Sequence, residues 1–310
     1  MRRVYNSRPL NRRELLGLLL AIPASLRSAA RAAPPAALRV LRAKTGRVES
    51  VPLEEYVAAV LPAEIGRRAP AAALEAQATA ARSYAVARPG RHAEEEADLC
   101  DATHCQVYAG LASATSETRA ACAATSGLVL AQKGRVIAAP FHAVCGGRTA
   151  RPRDVWDDEE NPDLEPVEDD ACRDASGFAW RHSIRRNEIP ELGASLGFPE
   201  ARFLEVFSRD GTGRVSAVRL AARGGGTWTV RGFDFRKSAS ELWGWGSVRS
   251  TAFEIAESRT EYLLTGYGTG HGAGLCQAGA IARARRGESA TEILSLYYRG
   301  AEVRLLDTIS

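Results

Sequence analysis

Two consecutive apolar segments with helical spacing restrict the possible folds of this chain more than any other feature. Four residues of the first segment share one helical face: Leu53, Tyr56, Val57 and Val60. Pro62 interrupts this pattern, and Glu64 follows in a predicted turn. The second segment runs from Pro70 to Pro89 and is rich in alanine, whose small side chain allows very close helix packing. The sequence therefore predicts a tightly packed pair of helices with a glutamate between them.

The rest of the chain mixes predicted strands with shorter helices. Residues 128–141 are predicted to form a hairpin that turns at Lys133-Gly134. Residues 178–255 have strand-like patterns separated by glycine-rich turns. We therefore predict an α+β fold, with helices and a mixed sheet around a groove and a β-rich subdomain at 178–255.

Composition and charge limit the classes of function. Of the 310 residues, 45% are hydrophobic and 25% are charged, which are ordinary values for a globular protein. The net charge of +4 is far from the strongly basic character of a dedicated nucleic-acid-binding protein. The acidic run from Asp154 to Asp170 is expected to be a solvated surface loop and not a metal site.

The N-terminal residues have the three-part layout of a secretory signal peptide. Arginines precede the apolar run Leu15–Leu26, which is too short for a transmembrane helix of about 20 residues. The Arg12-Arg13 pair suggests the twin-arginine route. We expect residues 1–33 to be removed and residues 34–310 to act in the periplasm or outside the cell. The alternative is an amphipathic first helix of a cytosolic protein.

Four motifs occur along the chain in a fixed order: VPLEEYVAAVLPAEI with ALEAQATAARSYAVA, CDATHCQVY, FHAVCGGRT with DVW, and GTGHGAGLCQAGA with ILSLYYRG. Through these motifs, over about residues 40–305, the chain resembles the SpoIID/LytB family of peptidoglycan lytic transglycosylases and amidase enhancers. A single short motif is weak evidence, but four in family order are strong. The resemblance implies an exported enzyme that cleaves glycan strands between N-acetylmuramic acid and N-acetylglucosamine. The products would carry 1,6-anhydro ends, and the preferred strands would be stripped of stem peptides.

The resemblance implies that Glu64 is the catalytic acid. In this reaction the C6 hydroxyl of the sugar attacks C1 without water, so one carboxyl group can serve in turn as acid and base. Ordinary glycosidases use two carboxylates. The acid must hold its proton near neutral pH, which requires an apolar, partly dry site. Glu64 lies within the largely apolar stretch 61–65, although a solvent-facing glutamate in a turn is the alternative.

Substrate contacts are expected from three further parts of the sequence. They are Gln77, Arg82 and Tyr84 on the alanine-rich helix, Gly146, Gly147 and Thr149 after Cys145, and His271, Gly272 and Gln277 near the C-terminus. The last group lies in a glycine loop that would let backbone amides approach a sugar at a helix N-terminus. For Gln77, Arg82 and His271, the alternative to substrate binding is a purely structural role. Nucleotide binding is not expected, because too little chain follows this loop for a βαβ array.

Four potential metal ligands lie close together in the sequence: His92, Cys100, His104 and Cys105, which we call the loop cluster. Two nitrogens and two sulfurs suit tetrahedral zinc, and some family members are thought to bind zinc here. The spacing is not a standard zinc-finger pattern, so a Cys100–Cys105 disulfide is the competing interpretation. A metal here would be structural, because the expected reaction needs no Lewis acid.

The other cysteines are interpreted as structural. A disulfide between Cys145 and Cys172 is expected across the acidic run if the protein is exported. A Cys145 nucleophile with His142 as its base lacks a third, orienting group. Cys122 is interpreted as a buried apolar residue of a helix.

No cofactor is expected to be required for catalysis, and a structural zinc ion is the one candidate. The expected partners are peptidoglycan glycan strands, with a cell-wall amidase as a second candidate and no nucleic acid or nucleotide. The alternative function is a non-catalytic glycan-binding module that stimulates an amidase. The presence of Glu64 favours the enzyme.

Overall fold

The computed structural model describes residues 36–156 and 162–309. Its helices are α1 (Leu53–Glu64), α2 (Ala71–Ala87), α3 (Ser116–Ala124), α4 (Pro152–Val155), α5 (Ile189–Ser195), α6 (Gly232–Trp243), α7 (Gln277–Arg285) and α8 (Ala290–Tyr297). Its strands are β1 (Ala37–Arg42), β2 (Arg47–Pro52), β3 (Leu99–Cys100), β4 (Leu128–Gln132), β5 (Arg135–Val136), β6 (Phe141–His142), β7 (Ala179–Arg185), β8 (Phe203–Arg209), β9 (Val215–Ala221), β10 (Thr227–Arg231), β11 (Phe253–Glu257), β12 (Glu261–Tyr267), β13 (Leu275–Cys276) and β14 (Glu302–Leu305). Helices combined with several small mixed sheets confirm the α+β class. The expected signal segment 1–33 lies outside the described residues.

Helix α1 continues through the proline that was expected to interrupt it. Pro62 lies inside the helix, which ends at Glu64. Proline removes only its own N–H from the helix hydrogen bonds, and a loss in the last turn leaves the earlier turns intact. The Ile65 and Gly66 amides both donate to the Leu61 carbonyl and close the helix. Glu64 therefore belongs to the last helical turn and not to a separate loop.

Helix α2 is the centre of the larger core. Most of its residues are buried, and the majority of these are alanines. Their small side chains allow α1, α3, α7 and α8 to pack directly on α2. The sheets β2-β1-β3 and β14-β4-β5 and the strand pair β13-β6 also belong to this part of the fold.

The predicted hairpin at residues 128–141 is present but short. Its strands β4 and β5 pair antiparallel, and the turn residues Lys133 and Gly134 both have positive φ. Positive φ at both central residues is typical of a two-residue type I′ turn, whose twist matches that of the two strands. The rest of the segment continues as an irregular connection into β6.

A second core lies in the segment from β7 to β12. Two three-stranded antiparallel sheets, β10-β9-β8 and β11-β12-β7, contain its strands, and α5 and α6 also contribute to it. Its buried residues run from Trp180 to Leu264 and include Phe235 of α6. This core therefore extends beyond residue 255, where the β-rich segment was expected to end.

Within residues 36–156 and 162–309, no helix combines the length and the apolar character needed to cross a membrane.

Candidate functional site

Glu64 presents its carboxyl group to two hydrogen-bond donors from distant parts of the chain. The Val107 amide donates to Oε1 at 2.7 Å, and the Gln277 side-chain amide donates to Oε2 at 3.4 Å. Burial raises the pKa of Glu64, while these two hydrogen bonds lower it and only partly offset the effect. The site therefore holds an oriented carboxyl group that keeps its proton to higher pH than an exposed glutamate.

One tyrosine lies near this carboxyl group, and a second lies near that tyrosine. Tyr56 lies two helical turns before Glu64 on α1 and is fully buried. Burial raises the pKa of Tyr56 well above its usual value, and the nearby charges of Cys105, Tyr84 and Glu64 add to the effect. The Tyr84 hydroxyl donates to the His104 carbonyl at 3.4 Å, and burial raises the pKa of Tyr84 to about 12. Both phenols therefore stay protonated at neutral pH and can only donate or accept hydrogen bonds.

Two of these groups are not predicted from the sequence. The apolar spacing places Tyr56 on the buried face of its helix, and no motif points to the Val107 amide. The positions of Tyr56 and Glu64, eight apart on one helix, were an available signal for the tyrosine. No sequence signal identifies the Val107 amide, because a main-chain donor is present at every residue except proline.

Arg82 is fully buried between helices and a strand. Its Nε and Nη2 atoms donate to the two carboxylate oxygens of Glu54 at 2.8 and 2.6 Å, and Nη1 donates to the Leu128 carbonyl at 2.9 Å. This bidentate ion pair joins α1 to α2 and to the start of β4. The structure therefore places Arg82 in the packing of the helices.

Gln77 is also fully buried on α2. Neither atom of its side-chain amide has a hydrogen-bond partner among the residues that the structure describes. A buried side-chain amide without hydrogen-bond partners is energetically costly. In the interior of a protein such a group commonly forms hydrogen bonds to a water molecule or to a ligand. Gln77 therefore stays a predicted substrate contact whose side chain is enclosed in this conformation.

The loop cluster converges in space. One potential ligand atom from each of its four residues lies within 4.8 Å of all the others. The two Nε2 atoms of His92 and His104 are 3.0 Å apart, and Cys105 Sγ lies 3.4 Å from His92 Nε2. Cys100 Sγ lies 3.5 Å from His104 Nε2. Two imidazoles and two thiols at these separations fit tetrahedral zinc, and both cysteines are free thiols.

The segment that carries the loop cluster also contacts the Glu64 site. Val107 follows Cys105 by two residues and supplies the amide on the Glu64 carboxyl group. Between them, the Gln106 side chain donates to the Ala81 carbonyl of α2 at 3.2 Å. The position of the Val107 amide therefore depends on the conformation of the loop.

His271 lies apart from these contacts, in the glycine loop before β13. Its Nε2 donates to the Phe141 carbonyl at 2.8 Å, and its Nδ1 accepts from the Ala273 amide at 3.1 Å. The ring packs against Trp156 and His142. Burial, followed by the charges of His142 and Arg236, holds the pKa of His271 well below its usual value. Its imidazole is therefore neutral, with both nitrogens engaged by the main chain.

The remaining predicted substrate contacts differ in how closely they are packed. A Cβ at Gly146 would lie 2.8 Å from the Gly268 nitrogen, and a Cβ at Gly272 would lie 2.7 Å from the Arg214 guanidinium carbon. Thr149 is buried, and its hydroxyl accepts from the Val167 amide at 2.8 Å. Gly147 has open space around its Cα. Of the six residues predicted after Cys145 and near the C-terminus, the structure brings Gln277 into contact with Glu64.

Cys145, Asp169, Cys172 and Cys276 form a second, buried group that we call the core cluster. The Cys145 and Cys172 sulfurs are 3.3 Å apart as free thiols, so their predicted disulfide stays a prediction. Asp169 belongs to the acidic run that was expected to be a solvated surface loop. That expectation is wrong for Asp169, whose buried carboxylate accepts hydrogen bonds from Arg283 and Tyr297. Inside the protein, the Arg283 guanidinium and the Tyr297 hydroxyl replace the water molecules that would solvate this carboxylate at the surface.

Comparison with known proteins finds similarity across most of the chain. Residues 42–131 match the family model described as Stage II sporulation protein. An uncharacterized protein of Brachyspira hyodysenteriae is 30% identical over 83% of this chain and 67% of its own length. Stage II sporulation protein D of Bacillus subtilis is 28% identical over 92% of this chain and 84% of its own length. An amidase enhancer of Bacillus subtilis is 26% identical over 78% of this chain and 39% of its own length.

Proposed function

This chain belongs to the SpoIID family, whose members are related to the cell wall, and on that premise we propose that it is an exported peptidoglycan lytic transglycosylase. Its substrate is the glycan strand, stripped of stem peptides, and its site of action is the periplasm or the extracellular wall. The observation that carries the proposal is the Glu64 carboxyl group, whose pKa is raised by burial while two donors fix its orientation.

In the first step, protonated Glu64 donates its proton to the glycosidic oxygen between N-acetylmuramic acid and N-acetylglucosamine. The bond from C1 of the muramic acid to that oxygen breaks, and the N-acetylglucosamine leaves as an alcohol. The raised pKa favours this step because the acid form persists towards neutral pH.

In the second step, the C6 hydroxyl oxygen attacks C1 of the same sugar, and the Glu64 carboxylate accepts the proton of that hydroxyl. The ring closes to the 1,6-anhydro product, and Glu64 returns to its acid form without consuming water. The Val107 amide and the Gln277 side chain stabilise the carboxylate that exists between the two steps. One carboxyl group is therefore sufficient for the complete cycle.

Tyr84 and Gln277 are the polar side chains that we propose to contact the glycan at this site. Gln277 already donates to the Glu64 carboxyl group, and Tyr84 is only half-buried. A neutral phenol and an amide suit sugar hydroxyl and acetamido groups, because each can both donate and accept hydrogen bonds.

The loop cluster is proposed to hold a structural zinc ion. Zinc would be bound by His92, Cys100, His104 and Cys105, and it would supply cross-linking of the loop and no chemistry on the glycan. Directly after the cluster, Gln106 holds the loop against α2, and the Val107 amide donates to Glu64. Metal binding would therefore support activity by stabilising the position of one hydrogen-bond donor.

Glu64→Gln tests the proposal. The change is nearly isosteric and removes the transferable proton, so cleavage should fall by at least the 10²–10⁴-fold (roughly) typical of general acid–base catalysis. The assay is mass spectrometry of denuded glycan strands, which detects 1,6-anhydro ends. Glu55→Gln is the matched control and should keep full activity. Glu55 lies on the same helix as Glu64, and it forms an exposed ion pair with Arg119. Unchanged cleavage by Glu64→Gln would exclude Glu64 as the acid.

The similarity to an amidase enhancer supports a second candidate function. In this case the chain would bind glycan and stimulate a cell-wall amidase without cutting the strand. The wild-type protein would then yield no 1,6-anhydro products, and Glu64→Gln would stimulate an amidase as well as the wild type does. An enzyme that also recruits an amidase would show cleavage that depends on Glu64 and stimulation that does not.

A further inference from the structure

The core cluster brings three sulfurs and one carboxylate to a single point. One ligand atom from each residue lies within 4.8 Å of all the others, and every member is at most 1% exposed. Cys145 Sγ lies 3.3 Å from Cys172 Sγ and 3.7 Å from Asp169 Oδ2. Tetrahedral zinc with ordinary bond lengths separates its sulfur and oxygen ligands by about 3.6 to 3.8 Å. We propose that the core cluster is a second structural site for a thiophilic divalent cation of the zinc class, distinct from the loop cluster.

The fold fixes these ligands from separate segments of the chain. Cys276 ends β13 and is the N-cap of α7, while Cys145 follows β6, which pairs with β13. Asp169 and Cys172 come from the segment between α4 and β7. A cation would therefore cross-link three regions of the chain that come together at this point.

Main-chain amides are directed at the sulfurs. Cys276 Sγ accepts from the Cys145 amide at 3.2 Å and from the Gly279 amide at 3.3 Å. A thiol is a weak hydrogen-bond acceptor, whereas a thiolate is a strong one. These two amides therefore suit a sulfur atom that binds a metal ion.

Arg214 supplies positive charge beside the core cluster, as Arg283 does beside Asp169. Arg214 is 3% exposed, and its Nη2 donates only to the main-chain carbonyls of Cys145 and Arg148. Its Nη1 has no hydrogen-bond partner in the part of the chain that the structure describes. Such a buried guanidinium needs negative charge nearby. Burial lowers the pKa of Arg214, while Cys145, Asp210 and Cys276 raise it. Thiolates in the cluster would add to the negative charge of Asp210.

Asp169 is held in the orientation of a ligand. Arg283 donates to Oδ1 at 3.0 Å, and the Tyr297 hydroxyl donates to Oδ2 at 2.6 Å. Outer hydrogen bonds of this kind are typical of metal-binding carboxylates. Gly279 makes the arrangement possible, because a Cβ there would lie 2.1 Å from the Tyr297 hydroxyl and 2.3 Å from Asp169 Oδ2.

A Cys145–Cys172 disulfide is the competing arrangement. It would require the two sulfurs to approach to about 2.05 Å and an oxidant to remove two electrons and two protons. It would leave Cys276 with its helix-capping role alone, and Arg214 without a nearby thiolate from Cys145. The metal site accounts for all four residues.

The experiment measures metal per chain by mass spectrometry of the elements. The full-length protein is purified from a reducing cytoplasm without added metal, in the Cys105→Ser background that disables the loop cluster. We expect about one zinc ion per chain in this background. Adding Cys276→Ser should remove it, because serine keeps the helix N-cap and the volume but is a poor zinc ligand. Adding Cys122→Ser, at a buried cysteine of α3 outside both clusters, should leave it in place.

Two further results decide between the arrangements without depending on the folding of the Cys276→Ser variant. Cobalt added to the metal-free Cys105→Ser chain should produce thiolate-to-cobalt charge-transfer absorption. Peptide mapping after alkylation should find Cys145, Cys172 and Cys276 as thiols. Absence of metal in the Cys105→Ser chain, metal retained after Cys276→Ser, or a Cys145–Cys172 disulfide in the native protein would each overturn the proposal.

Discussion

Glu54→Gln should destabilise this protein much more than the same change at the next residue. Glu54 accepts two short hydrogen bonds from fully buried Arg82 and a third, at 3.4 Å, from the Gly127 amide. The substitution keeps the volume of the side chain but removes its charge. The Arg82 guanidinium then stays buried with the Leu128 carbonyl as its remaining strong acceptor.

The expected magnitude follows from the burial of the two partners. Removing one member of a buried ion pair costs about 3–5 kcal/mol, because the other charge is left without compensation. The side chain of Glu54 is 39% exposed, so water reaches it and the cost is lower. We expect a loss of about 2–3 kcal/mol in the free energy of unfolding, or about 5 °C in Tm for a chain of this size.

The measurement is urea unfolding of Glu54→Gln and Glu55→Gln beside the wild type. Glu55 pairs with Arg119 on the surface, where both side chains are more than 40% exposed, so its loss should cost at most about 1 kcal/mol. The folded fraction of Glu54→Gln should cleave glycan as the wild type does. Equal stability of the two variants, or a selective rise in KM for Glu54→Gln, would refute the packing role and return Arg82 to substrate binding.

Three further predictions concern acidity, glycine positions and metal. Burial lowers the pKa of His142 to about 3 and holds that of His271 well below its usual value, so below about pH 6.5 the unfolded chain binds more protons than the folded one. As the pH is lowered below this value, the free energy of unfolding should decrease by about 1.4 kcal/mol per pH unit for each histidine. His142→Gln should remove one such contribution in urea titrations at pH 7, 6 and 5. Gly274→Ala should prevent stable folding, because its Cβ would lie 1.9 Å from a main-chain carbonyl oxygen. Gly147→Ala has open space and should cost only about 1–2 kcal/mol of backbone strain, as thermal melting would show. A chelator should speed hydrogen exchange at the Val107 amide, and no such change should occur in a variant that lacks the loop-cluster cysteines.

Local sequence patterns were sufficient to predict the main elements and the chemistry available to them. The spacing of apolar residues predicts α1, the flanking prolines predict the ends of α2, and the Lys133-Gly134 pair predicts the turn between β4 and β5. These features depend on hydrogen bonds and side-chain packing within a few residues, so a short stretch of sequence contains the information. The loop cluster was found in the same way, since its four members lie within fourteen positions.

Tertiary structure decided which of these groups meet. Glu64 contacts Gln277, 213 positions later, and Arg82 pairs with Glu54 instead of remaining available to a ligand. His271 carries the exposed-loop signature of a site residue, yet its nitrogens are both used by the main chain. Periodicity and composition describe neighbours in sequence, and they carry no information about which distant main-chain groups a side chain will face.

The cysteines give the sharpest contrast between the two levels. The sequence supplied Cys145 and Cys172 as a candidate pair, and nothing in it placed Cys276 or Asp169 beside them. Their meeting depends on the pairing of β6 with β13 and on the close approach at Gly279. A contact across more than a hundred residues forms only when the whole core is packed, because the entropy cost of closing so long a loop is offset by many contacts acting together.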